Sequence, residues 1–165
     1  MGIATFLGGV LGHGFLYLLG PEWKIPGWSF SMLSIMFIER SSIEYTKSVF
    51  KPVVFKTMLI FNILKLIILM FMAVRSLNFL YAGIQIVSGF GVIVFSCHLY
   101  SYILFKDKGS KYVLFSIGAL CIAMFIFGYP IVLHTWFNHQ DFSHILMTIS
   151  TLLLLKGALK LERIK

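Results

Sequence analysis

Six long apolar segments, separated by short stretches that hold most of the charged residues, constrain this chain more than any other feature. A helix that crosses a membrane needs about 20 mostly apolar residues, and each segment reaches or approaches that length. Only 12% of the residues are charged, whereas soluble domains have about a quarter. We therefore predict an all-α polytopic transmembrane bundle of six helices that forms one domain over residues 1–165. The predicted helices cover residues 3–20, 27–45, 53–74, 77–105, 111–133 and 139–160.

The lysines test this helix count, because they follow every second apolar segment. The three clusters are Lys47, Lys51 and Lys56; Lys106, Lys108 and Lys111; and Lys156 and Lys160 with Arg163 and Lys165. Cytoplasmic loops of membrane proteins carry an excess of lysine and arginine. Six helices with both termini in the cytoplasm place all three clusters on that side. The net charge of +8 then reflects membrane orientation, and we expect no nucleic-acid partner.

A dense group of polar residues opens the last apolar segment. His134, His139 and His144 lie within eleven residues, and Asp141 stands among them. The predicted topology places this stretch on the outer face. His13 lies in the outer half of the first predicted helix, and a rise of about 1.5 Å per residue gives it a depth similar to that of His144.

Two interpretations of this group remain open. Zinc binds imidazole nitrogen and carboxylate oxygen, and a catalytic zinc keeps three protein ligands and a water. His13 and His144 with either Asp141 or His139 would supply those ligands, and the bound water would be the nucleophile. In the alternative, Asn138 caps the last helix and Asp141 interacts with its positive end.

Two further polar residues lie in apolar segments. Glu39 lies toward the inner end of the second segment, where it either reaches the membrane surface or faces the bundle with Asn62 or Lys65 as its partner. Together with Asp141, Glu39 is a candidate catalytic carboxylate. His98 lies near the inner end of the fourth predicted helix, and we predict that it makes a structural hydrogen bond.

The sequence resembles the superfamily of alkaline ceramidases, adiponectin receptors and hemolysin III, called CREST. Residues 8–13, Gly-Gly-Val-Leu-Gly-His, look like the histidine region of that family's second helix, and residues 137–144 look like its last-helix histidine motif. The resemblance covers nearly the whole chain and is greatest to small bacterial members. The family's first helix has no counterpart here, and the last two histidines are spaced His-x4-His instead of His-x3-His.

The resemblance implies a zinc-dependent hydrolase of a lipid amide or ester in the bacterial inner membrane. The expected partners are the lipid bilayer, a lipid substrate, and a second copy or a partner helix that replaces the missing first helix. The alternative function is non-enzymatic. In that case the chain is a subunit of a membrane assembly, or a transporter or channel component in which His13 and His144 form a proton relay.

Overall fold

The structure of the protein is a computed structural model that describes residues 2–15, 18, 20–129, 134 and 138–161. At residues 5, 8, 12, 13 and 140 it describes the backbone alone. These parts of the chain contain six helices and no β-strand. The predictions of an all-α chain and of six helices are confirmed.

The six helices follow one another with short connections. Helix α1 is α-helical over Gly2–Gly9 and π-helical over Val10–Gly14. The others are α2, Ile25–Tyr45; α3, Pro52–Ser76; α4, Leu80–Phe105; α5, Lys108–Gly128; and α6, His139–Ala158. Short 3-10 helices at Pro21–Lys24 and Lys47–Val49 precede α2 and α3.

Local chemistry explains several helix boundaries. Helix α3 begins with a proline, which suits the first helical position because its missing N–H would have no intrahelical partner. Helix α5 starts earlier than the predicted residue 111, because the Asp107 carboxylate caps it and accepts from the backbone N–H groups of Gly109 and Ser110. It also ends earlier than the predicted residue 133. Tyr129 has an extended backbone, as expected for a residue before a proline.

Three of the helices, α3, α4 and α5, are long and apolar enough to cross a membrane. Large apolar side chains on α3 point outward, and Ile60, Ile67 and Phe71 are each more than half exposed. A continuous apolar surface of this kind is rare on soluble monomers. Helix α4 is interrupted, because Val87–Val94 form a π-helix between the α-helical parts Leu80–Ile86 and Phe95–Phe105.

The chain divides into two compact units, Met1–Val94 and Phe95–Lys165, and the division falls within α4. In the first unit α2 packs against α1, α3 and the first part of α4. The core of this unit includes Met32, Leu66, Ala73 and Ala82.

In the second unit α5 and α6 run antiparallel in close contact. The Ser116 and Ser150 hydroxyl oxygens are 3.0 Å apart, and Ser150 Oγ also lies 2.8 Å from the Ser116 carbonyl oxygen. One end of the pair is held by Gly157, where an added Cβ would lie 2.8 Å from Val113 Cγ2 and 3.0 Å from the Gly109 carbonyl oxygen. Small residues therefore permit the close approach of the two backbones.

Candidate polar site

A buried ion pair joins α2 to α3 in the first unit. Lys65 Nζ donates to Glu39 Oε2 at 2.7 Å, and the two side chains are 7% and 1% exposed. Of the two alternatives left open for Glu39, the structure has the one in which it faces inward, with Lys65 as its partner. The candidate catalytic role of Glu39 stays a prediction.

The pair lies near the middle of α3. Lys65 is 13 residues after the first residue of that helix and 11 before its last. At about 1.5 Å per residue these separations are about 20 and 16 Å. One turn earlier on the same face, Asn62 Nδ2 donates to the Met36 carbonyl oxygen at 3.3 Å. Two polar contacts therefore connect α2 and α3 near the middle of an apolar helix.

Helix α4 packs against this pair at Gly89. A Cβ added to Gly89 would lie 2.7 Å from Ile35 Cγ2, 3.1 Å from Glu39 Oε2 and 3.9 Å from Lys65 Nζ. Gly89 belongs to the π-helical part of α4, and π-helical turns are frequent at functional sites. Gly89 therefore permits close packing of α4 against α2 and α3. An added Cβ at Gly83, on the same helix, would meet no side chain of the other described residues within 4 Å.

Several buried polar atoms of this region have no hydrogen-bond partner among the residues that the structure describes. They are Glu39 Oε1, Asn62 Oδ1, and both Nε2 and Oε1 of Gln85. Gln85 is fully buried on α4, four residues before Gly89. A buried polar group without a partner costs about 1–3 kcal/mol. Three serine hydroxyls of α2 are satisfied within the helix, since Ser34, Ser41 and Ser42 donate to carbonyls four residues earlier.

We therefore define the polar site as Glu39, Asn62, Lys65, Gln85 and Gly89, contributed by α2, α3 and the first part of α4. It offers a carboxylate oxygen, two amide oxygens and an amide NH2 for further hydrogen bonds. Gln85 was not predicted from the sequence as a residue of the site. A signal was present, because it is an uncharged but strongly polar residue within an apolar segment, one turn from a glycine.

The predicted histidine site at α6 has a different local structure. Asn138 N–H donates to Asp141 Oδ2 at 3.0 Å, and Asp141 N–H donates to Asn138 Oδ1 at 3.2 Å. This reciprocal pair is a capping arrangement, so the capping interpretation of Asn138 and Asp141 is confirmed. His139 begins α6 and is half-buried, whereas Asp141 and His144 are exposed.

The zinc hypothesis itself stays a prediction. Within the described residues, no group of three or more His, Cys, Asp and Glu side chains is placed to hold a metal ion. The His13 side chain lies outside the described residues, although its backbone belongs to the π-helical end of α1. His13 belongs to the first unit, and His139, Asp141 and His144 belong to the second.

His98 lies in the second unit at the α4–α5 connection. Its Nδ1 is 2.9 Å from Ser110 Oγ, and both side chains are buried. Ser110 follows the helix cap at Asp107, so this contact ties the end of α4 to the start of α5. The prediction of a hydrogen bond at His98 is confirmed.

Comparison with known proteins adds one finding. The family described as "Family of unknown function (DUF6962)" matches residues 1–163. The chain belongs to this family. No curated protein and no solved structure matches the chain.

Proposed function

We propose that this member of the family is an integral membrane protein with a six-helix transmembrane bundle, both termini in the cytoplasm, and a proton-transport function. The buried Glu39–Lys65 pair is the observation that carries the proposal. Three helices have the length and composition of membrane spans, and Lys65 lies near the centre of one of them. Ionisable residues at such positions are rare and mark proton relays and ion pathways.

The arrangement of atoms supports a specific proton cycle. Glu39 Oε2 accepts from Lys65, while Glu39 Oε1 is buried without a partner among the described residues. A proton that arrives from one side binds Oε1 and neutralises the carboxylate. Lys65 then loses its counter-ion and releases a proton toward the other side. Transfer of the carboxylic acid proton to the neutral amine restores the ion pair, so one proton enters and one leaves.

The other residues of the site have roles that follow from their chemistry. The Asn62 oxygen and the Gln85 amide can hold water molecules beside the pair, since each has unused hydrogen-bonding capacity. Gly89 brings the α4 backbone against the carboxylate. A side chain there would fill the space beside Oε2.

A flux measurement in liposomes tests this function. Purified protein is reconstituted with a pH-sensitive dye inside, and a potassium diffusion potential drives proton entry. We expect wild-type protein to acidify the lumen faster than protein-free liposomes do. The double variant Glu39→Met/Lys65→Met should reduce the rate to that of protein-free liposomes, because both proton-carrying groups are removed.

The matched control removes two exposed charged side chains, one from each of the same two helices. Glu44 and Lys56 are exposed, and Glu44→Met/Lys56→Met should retain the wild-type rate. If the Glu39–Lys65 pair is purely structural, the folded Glu39→Met/Lys65→Met protein should acidify the lumen at the wild-type rate. That result would refute the proposal, and so would a wild-type acidification rate equal to that of protein-free liposomes.

A second candidate function is the zinc-dependent hydrolysis of a lipid amide or ester in the bacterial inner membrane. It is favoured by His139, whose Nδ1 is buried and has no partner among the described residues, and by the resemblance to the ceramidase superfamily. Zinc held by His13, His144 and either Asp141 or His139 would activate a water. Elemental analysis of protein purified without chelator distinguishes the two candidates, because the proton cycle requires no metal.

A further inference from the structure

A second polar arrangement lies at the end of the second unit that contains the start of α5 and the end of α6. Two lysine ammonium groups, one from the last turn of α6 and one from the turn that follows it, lie near one aromatic ring of α5. Lys156 Nζ lies 4.7 Å and Lys160 Nζ lies 5.1 Å from the centroid of the Tyr112 ring. The adjacent Lys111 places its ammonium group 5.6 Å from the centroid of Phe115.

This arrangement concentrates positive charge. Lys156 lies in the last turn of α6 and Lys160 in the turn that follows the helix, and their ammonium groups lie 4.7 and 5.1 Å from the same ring centroid. Like charges held this close together repel. No ion pair joins Lys111, Lys156 or Lys160 to a carboxylate in the part of the chain that the structure describes. A bound anion would relieve this repulsion.

The framework beneath the lysines is tightly packed. Gly157 lies between the two lysines in sequence and packs against Val113 and the Gly109 carbonyl. An added Cβ at Gly109 would lie 2.6 Å from the Leu161 backbone nitrogen. These contacts fix the helix ends that carry the Tyr112 ring and the two ammonium groups, so the charges are held together before any ligand binds.

An apolar strip leads away from the lysines along the same helix. Leu152 and Leu155 of α6 and Leu159, just after the helix, are 61%, 56% and 78% exposed. Leu152 and Leu155 are three residues apart and share one face of α6. The Leu159 N–H donates to the Leu155 carbonyl oxygen at 3.0 Å, which continues that face by one turn. An inorganic anion would make no use of this strip, whereas the acyl chain of a lipid could lie along it while the headgroup meets the lysines.

We propose that Lys156 and Lys160, supported by Lys111 and Tyr112, bind the phosphate of an anionic membrane phospholipid whose acyl chain lies along the leucine strip. Lysine at the end of a membrane helix attracts anionic lipid headgroups. The ring of Tyr112 holds the two ammonium groups by cation–π interactions. This site lies wholly in the second unit; it rests on the membrane setting proposed above but not on the proton cycle of the Glu39–Lys65 pair.

Lipid binding can be measured on the full chain in a neutral detergent. Phosphatidylglycerol is titrated into the protein, and bound lipid is counted by native mass spectrometry. Phosphatidylcholine and inorganic phosphate are titrated in parallel. We expect saturable binding of phosphatidylglycerol, with little binding of phosphatidylcholine and no displacement by phosphate at equal concentration.

The variant Lys156→Gln/Lys160→Gln should lower the affinity for phosphatidylglycerol by roughly 30-fold, because each juxtamembrane lysine contributes about a fivefold factor. The control Lys51→Gln/Lys56→Gln removes two exposed lysines from the first unit and should change the affinity less than threefold. All four side chains are exposed, so the variants should fold, and unchanged melting without lipid would verify this.

Three outcomes would overturn the proposal. Equal binding of the two lipids would show that charge is not recognised. An equal loss of affinity in both lysine variants would show a diffuse effect of net charge. Displacement by inorganic phosphate would show that a free anion, and not a lipid, is the ligand.

Discussion

The buried pair allows a quantitative test of the packing of α2 against α3. In the variant Lys65→Met the ammonium group is lost and most of the side-chain volume is kept, but the Glu39 carboxylate stays buried without its partner. Removal of one member of a buried pair costs about 3–5 kcal/mol, and we expect that loss in the free energy of unfolding. Glu39→Met should cost a similar amount, because it leaves the ammonium group of Lys65 buried.

The double variant Glu39→Met/Lys65→Met should behave differently. Replacement of a buried ion pair by apolar residues of similar volume is neutral or stabilising by about 1–4 kcal/mol. Unfolding in mixed detergent micelles, with increasing fractions of a denaturing detergent, gives the free energy of unfolding of the wild type, the two single variants and the double variant. The exposed pair Glu44→Met/Lys56→Met should stay within about 0.5 kcal/mol of wild type. A cost below about 1 kcal/mol for Lys65→Met alone, as found for surface pairs, would refute the buried-pair argument.

Three more perturbations test the fold and the predicted metal site. Gly89→Ala should destabilise the protein by about 1–3 kcal/mol through overpacking against α2, whereas Gly83→Ala, with open space around it, should stabilise it by about 0.5–1 kcal/mol; the same sign for both would contradict the contact. In a background without native cysteines, an impermeant thiol reagent applied to intact cells should label His134→Cys and spare Ser48→Cys, and the reverse pattern would invert the topology. If the zinc site forms, purified wild-type protein should contain close to one zinc per chain, and the His144→Ala variant should contain none. Wild-type protein that is purified without chelator and lacks stoichiometric metal would refute the zinc hypothesis.

The six helices could be predicted from the sequence because two independent patterns agree. The apolar segments give the lengths, and the lysine clusters after every second segment fix the number of helices. The interruption of α4 could not be predicted. Val87–Val94 are as apolar as their neighbours, and a π-helix differs from an α-helix in its hydrogen bonds, which the periodicity of apolar residues does not reveal.

The polar site was predicted only in part, for a physical reason. A glutamate and a lysine that are 26 residues apart can meet when a tight connection such as Lys47–Val49 reverses the chain, so their pairing was accessible. Gln85 and Gly89 are brought to the same place by a third helix, whose rotation about its axis no local pattern determines. The histidine-rich stretch was predicted as a site because its polar residues are close in sequence. In the structure, Asn138 and Asp141 of that stretch cap a helix.

The two units use their polar side chains in different ways, and this difference bears on where function resides. In the second unit, Ser116 pairs with Ser150 and His98 pairs with Ser110, and the two buried atoms without a partner among the described residues, Ser101 Oγ and His139 Nδ1, belong to different helices. In the first unit, Glu39 and Gln85 are as deeply buried but retain unused hydrogen-bonding atoms. An apolar environment makes such atoms costly. A fold that needed only to hold its helices together would gain stability from apolar residues at these positions, so the retained polar atoms argue that the first unit holds a species that moves or binds there.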